Sequence, residues 1–182
     1  SVPPDALAGL PARWLPQRTE RWTWWWTADP PPVPRDDAVV RLTDDDPRLP
    51  DLLQQSASVY LHPGDPRVHG WYGLVQAGSL RACLAYEHHH HAVPHLASVV
   101  VDAHCRGQGI GGRLCGTVVR ELLGQGSPVV SLAMMTANRA AAALYRGLGF
   151  QQGPSFASGT LPGRRGVHVA DGWPRRRGGR VQ

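Results

Sequence analysis

The chain has 182 residues, 42% hydrophobic and 18% charged, with a formal net charge of +5. That length suits one domain burying about two-thirds of its unfolded surface, and no run approaches the ~20 apolar residues of a membrane span. All 19 basic residues are arginine, which excludes a Schiff-base lysine or a lysine phosphate loop. Beside 21 glycines and 17 prolines, this absence of lysine reads as compositional bias rather than functional choice.

Residues 1–159 balance thirteen arginines against thirteen acids, so the excess charge lies in 160–182, where six arginines face Asp171. The body therefore offers no nucleic-acid surface. The Gly/Pro/Arg-rich tail predicts a solvated, disordered segment, the one part suited to nucleic acid or acidic partners. The start, SVPPDALAGLPARW, lacks a basic region followed by an apolar core, so no secretory leader is expected. Cys83, Cys105 and Cys115 are odd in number and lack metal-ligand spacing, which points to reduced thiols, a cytoplasmic location and no bound metal.

In chain order, residues 1–37 are broken by eight prolines and read as an arm packed on the domain. Within it RWTWWWT alternates, with Trp22, Trp24 and Trp26 on one face and Thr23, Trp25 and Thr27 on the other. AVVRL (38–42) predicts a strand, and PRLPDLLQQSASVYL a helix with Leu49, Leu52, Leu53 and Val59 as its stripe. WYGLVQ and LRACLAYE predict a hairpin across Ala77-Gly78-Ser79, and HLASVVVD (95–102) a buried strand. A glycine loop then runs into the helix GGRLCGTVVRELLG, stopped by Gly124. PVVSLAMM is another buried strand, and NRAAAALYRGLGF a helix capped by Asn138. QQGPSFASGTLPG, broken by Pro154 and Gly159, predicts a reduced final hairpin covered by the tryptophan segment. The expectation is one α/β domain over 38–159 with a parallel pair at its centre.

CRGQGIGGRL (105–114) admits three phosphate loops. A nucleotide loop needs Lys and a hydroxyl after its last glycine, where Arg113 and Leu114 stand. A dinucleotide turn needs its glycines directly after the strand and a carboxylate ~20 residues on. Here five residues, Asp102 to Arg106, intervene, and no acid lies between Glu121 and Asp171. An NADP-dependent oxidoreductase thus remains an alternative without its carboxylate. What survives is an anion cradle of backbone N–H groups at the positive end of a helix dipole.

VVVDAHCRGQGIGGRL resembles the cofactor loop of the GNAT family, the Gcn5-related N-acetyltransferases, with Arg106, Gly109 and Gly111 at its three signature positions. NRAAAALYRGLGF is similar to the family's second signature at Asn138, Ala141, Tyr145, Gly149 and Phe150. The resemblance covers roughly 38–158. It implies an α/β (α+β), mixed and mostly antiparallel sheet with a central parallel strand pair flanked by helices. It also implies direct acetyl transfer from acetyl-CoA to a primary amine of a small molecule or peptide, in a ternary complex of a monomer or homodimer. The pantetheine arm would lie on Val99, Val100 and Val101. The pyrophosphate would sit on Gly107, Gln108, Gly109, Ile110, Gly111 and Gly112, with Arg106 adding charge.

By the same resemblance Asn138 contacts the cofactor and Tyr145 lies near the thioester sulfur. A phenol of pKa ~10 is protonated at neutral pH and can serve as general acid to the departing thiolate. Ribosomal-protein members of the family carry a glutamate five residues before the signature Asn. That position is Ala133 here, so the base falls to Glu87 or His95. Trp71 and Tyr72, with the N-terminal tryptophans, are candidates for an aromatic acceptor wall. The His88–His91 run reads as a loop, and no base accompanies Cys105 or Cys115 to make either a nucleophile. A non-catalytic acyl-CoA-binding or regulatory module is the other alternative.

Overall fold

Period-two alternation in TERWTWWWT makes a strand, β1 (Thr19–Thr27), in the computed structural model, which describes residues 1–11, 14–16, 19–89 and 92–159. Thr23, Trp25 and Thr27 are buried on one face; Trp22, Trp24 and Trp26 are half-buried on the other. Then follow β2 (Val39–Leu42), α1 (Leu49–Leu53), β3 (Gly70–Gln76), β4 (Ser79–His89), β5 (Val93–Val101), α2 (Ile110–Gly124), β6 (Val130–Met135), α3 (Arg139–Gly147) and β7 (Gln151–Gly159).

The strands form one sheet of order β2-β3-β4-β5-β6-β1-β7. Every neighbouring pair is antiparallel except β5 and β6, which are parallel. A parallel pair needs a long crossover, and α2 supplies it. The fold is therefore the mixed, mostly antiparallel sheet with a central parallel pair that the sequence leads one to expect.

Two cores form, one on each face. Against α2 and α3 pack Trp25, Tyr72, Leu84, Leu96, Leu114, Val118, Leu132 and Tyr145. Under α1 pack Leu49, Leu52, Leu53, Trp71, Ala85, Ala97 and Val100.

Three expectations are corrected. The tryptophan segment is not an arm laid over the sheet but an interior strand, bonded to β6 on one side and β7 on the other. The sheet thus begins at residue 19 rather than 38. β7 runs nine residues despite Pro154, because it is an edge strand and the register shifts there, between Thr23/Ser155 and Trp25/Gln152. Proline is tolerated at an edge or a bulge, where no ladder N–H is needed. The helix expected through residue 61 stops at Leu53. Beyond it Ser58 N donates to Ser56 Oγ at 3.3 Å, and the amides of Tyr60 and Leu61 donate to Ser98 Oγ at 3.3 and 2.9 Å. Serine side chains and a distant strand thus take the backbone donors that a helix would use.

The proline run between β1 and β2 straps across α2. Arg120 donates to the carbonyls of Pro31 and Val33, Asp36 N donates to Thr117 Oγ1 at 3.0 Å, and Arg113 pairs with Asp36. The tail 160–182 and His90 and His91 lie outside the described residues. Among the described residues no helix is long and apolar enough to cross a membrane.

Candidate active site

The site grows from a strand pair that comes apart. β5 and β6 pair only at His95↔Ser131 and Leu96↔Leu132. Further along, β5 stays with β4 (Val100↔Cys83, Val101↔Ala82), while β6 stays with β1 (Ala133↔Trp24, Met135↔Trp22). The backbone edges of Val99, Val100 and Val101 and of Ala133–Met135 therefore face each other across a V with its apex at the His95–Ser131 and Leu96–Leu132 pairs. A bulge lies on the β5 arm, where Ser98 has φ +48° and the register shifts between Cys83/Val100 and Ala85/Ala97. Bulges re-aim backbone groups, and Ser98 Oγ, bonded to Leu61 N and O, holds this one in place.

The open end of the V meets the glycine loop. Gly107 (φ +77°) and Gly109 (φ +75°) occupy the left-handed region, where side chains with a Cβ are strained. Gly109 is the N-cap of α2 and lends no side chain to it, and no acid stands in the first turn of α2. Its first N–H groups remain available to an anion at the positive helix end. Gly111 is glycine for another reason: a Cβ there would lie 2.8 Å from Leu144 Cδ1, so α2 and α3 can close together at this point. A Cβ on Gly112 would meet nothing within 4 Å. Gln108 is exposed and Ile110 is buried. Arg106, also exposed, donates to the carbonyls of Val101 (3.2 Å) and Gln55 (3.1 Å), which holds its guanidinium at the loop entrance.

Asn138 is the N-cap of α3, its side chain accepting from Ala141 N at 3.1 Å. Seven residues, two helical turns, carry the same face of α3 to Tyr145. Tyr145 is buried and packs on Phe150, with ring centroids 5.5 Å apart. Burial, and secondarily the neighbouring Cys115, push its pKa well above 10, so the phenol keeps its proton. Cys83 and Cys115 are buried thiols that desolvation pushes up to about 12; neither is an available nucleophile.

The two candidate bases stand together beside the apex. Glu87 and His95 are paired across β4 and β5 and are both buried. Tyr60 OH donates to Glu87 Oε1, and His89 Nε2 lies 3.0 Å from the same oxygen. Burial, the largest influence, pushes the Glu87 pKa up. The bonds from His89 and Tyr60 outweigh it and hold the carboxyl below its usual range. Ser131 Oγ donates to Pro94 O at 3.3 Å and lies 3.0 Å from His95 Nδ1. Burial depresses the His95 pKa to about 3, leaving the imidazole neutral. The His95 ring sits 4.0 Å from His89, nearly parallel, and 4.7 Å from Trp24.

Trp71 and Tyr72 do not form an acceptor wall. As strand neighbours they point to opposite faces, each into a different core. Trp71 Nε1 donates to Asp44 at 3.0 Å and Tyr72 OH to Glu121 at 2.7 Å. Beside the apex a groove is lined by Trp24, Trp26, His89, Val93, Val129 and Ser131. Tyr60, His89 and Ser131 escape sequence reasoning. The i, i+2 spacing of Glu87 and His89 on one strand face was the available signal for His89; Tyr60 and Ser131 arrive through long-range pairing alone.

Among the described residues the sheet is mixed, mostly antiparallel, and opens at its one parallel pair beside a glycine-lined helix N-terminus. The model of the Acetyltransferase (GNAT) family matches residues 19–150, and the chain belongs to that family. Solved structures share the fold. One is an acetyltransferase of the GNAT family from Novosphingobium aromaticivorans, 23% identical with a TM-score of 0.69, covering 81% of this chain and 66% of that one. Another is a GCN5-related N-acetyltransferase from Sphaerobacter thermophilus, 20% identical with a TM-score of 0.55, covering 77% of this chain and 51% of that one. A third, from Kribbella flavida, is 16% identical with a TM-score of 0.57, covering 75% of this chain and 56% of that one. The chain thus spans between half and two-thirds of the length of these structures. No curated protein matches it.

Proposed function

We propose that this protein transfers an acetyl group from acetyl-CoA directly to the primary amine of a small molecule or peptide. The observation that carries the reading is the V between β5 and β6 leading into the left-handed glycines at the start of α2. A pyrophosphate accepts hydrogen bonds from the amides of Gly107 to Gly112, and Arg106 adds charge at the entrance. The pantetheine arm runs along the unpaired edge of Val99 to Val101, adding a strand-like partner to β5. Asn138 both caps α3 and borders the cofactor.

The neutral amine attacks the thioester carbon, an N–C bond forms, and collapse of the tetrahedral intermediate breaks the C–S bond. Tyr145, kept protonated by burial, gives its proton to the departing thiolate. The proton shed by the amine goes to the Glu87–His95 pair. Glu87 is the stronger candidate of the two, because its carboxylate is ionised and draws an ammonium toward the apex. Glu87 then releases that proton to solvent, while neutral His95 packs against His89 and Trp24 beside it.

Tyr145→Phe tests the assignment. The variant is expected to keep acetyl-CoA affinity by calorimetry while turnover falls on the order of 10²-fold or more. A variant with undiminished turnover contradicts the acid role, and a wild type that binds acetyl-CoA but has no turnover to lose is a sensor.

A further inference from the structure

β1 leaves one face of its tryptophans outside both cores. Trp25 packs with α2 and α3, and α1 lies over β4 and β5. The opposite face carries Trp22, Trp24 and Trp26, and there an open groove of about 320 Å³ is lined by Trp24, Trp26, His89, Val93, Val129 and Ser131.

Register places the groove. Ser131 pairs with Trp26 on one side and His95 on the other, Val93 lies two residues before His95 at the start of β5, and Val129 two residues before Ser131, just ahead of β6. The groove therefore begins at the apex of the V and runs away from the glycine loop. At about 3.3 Å per residue, β5 spans roughly 20 Å from Val101 back to His95, a length suited to an extended pantetheine arm. A thioester delivered along β5 thus arrives where the groove starts. Ala133, exposed and directly opposite Trp24, puts only a methyl group beside the meeting point.

The lining has its own chemistry. Two indoles and two valines supply flat apolar surface, and among the described residues no carboxylate or arginine lines the groove. One anion stands behind it: Glu87, reached through His89 at 3.0 Å. Such a wall suits one positive charge on an apolar body, because an indole face attracts a single ammonium and packs an aryl ring. A polycation would need several carboxylates to neutralise it.

We infer that this groove is the acceptor subsite and that it takes a primary amine carried on an aryl or arylalkyl body. The ring lies against Trp26 and Trp24, and the nitrogen points toward Ser131 and the His89–Glu87 pair. The amine nitrogen bonds to the acetyl carbon as C–S breaks; its proton goes to Glu87, and sulfur takes the proton of Tyr145. The inference deepens the acyltransferase reading and rests on it.

The test uses the full chain and acetyl-CoA and measures thiol release with phenethylamine, tryptamine, propylamine, spermidine and kanamycin. The arylalkyl amines are expected to exceed the other three by about 10- to 100-fold in kcat/KM, the range a hydrophobic pocket supplies. Trp26→Ala should raise the phenethylamine KM about tenfold with the acetyl-CoA KM unchanged, and Trp26→Phe should restore much of it. Equal or better use of propylamine, spermidine or kanamycin overturns the subsite alone, as does an unchanged phenethylamine KM in Trp26→Ala. Absence of amine-dependent release with every acceptor overturns the acyltransferase reading as well.

Discussion

Gly116 shows how one missing Cβ positions a helix. It faces the proline strap, and an added Cβ would run into Val33 Cγ2 and approach Leu148 Cδ2 at 3.3 Å. Val33 has little room to yield, since its carbonyl accepts from Arg120 at 2.8 Å. Alanine would add about 1 kcal/mol of helix propensity, but overpacking costs about 1–3 kcal/mol. Gly116→Ala is therefore expected to lower the urea midpoint, while Gly124→Ala, at the end of the same helix with nothing within 4 Å, should be neutral or slightly stabilising. Equal midpoints for the two variants would contradict the strap.

His95 carries a second prediction at this scale. Its pKa falls from 6.5 to about 3 on folding, chiefly through burial, so between those values the unfolded chain binds the extra proton. Stability is then fully present above pH 6.5 and declines as pH falls toward 3. Glu87, also depressed, acts in the same direction lower in the window. In a series of urea melts, His95→Gln should flatten the slope between pH 6 and 4; an unaltered slope means the imidazole is not the group that titrates.

Among the elements, β1 matters most. It lies between β6 and β7 and supplies Trp25 to the core, so its loss exposes a strand edge on each side and opens the face under α3. Deleting residues 1–34 is expected to lower Tm by more than about 10 °C, where 1 kcal/mol moves Tm by about 2–8 °C. An unchanged melting curve would show that β1 is dispensable. The alternation of RWTWWWT made a strand-like period legible, and the glycine loop, α2, β6 and α3 followed from their own periodicity and caps. The partners of β1 did not, because β6 lies more than a hundred residues away and nothing local in either strand names the other. Pro154 misled for a related reason: it breaks an interior strand but not an edge, and edges are properties of the sheet.

At the scale of the molecule, the glycine loop proposed to hold the cofactor was legible in the sequence, and the cluster proposed to receive the amine was not. Gly107, Gly109 and Gly111 lie within five consecutive residues, and the left-handed φ of the first two is a local demand. Trp24, Glu87, His89, His95 and Ser131 come from four strands, and only the order of the sheet gathers them. That order also removes Trp71 and Tyr72, which were attractive as aromatics but fill the two cores. In the proposed reaction the V and this cluster bring acetyl-CoA and an amine together for direct transfer. Thiol release from acetyl-CoA, followed with and without an added primary amine, tests it most directly. Release is expected to rise with amine concentration to saturation, with stoichiometric N-acetylated product. Release no faster than hydrolysis for every amine, by protein shown to bind acetyl-CoA, would contradict it.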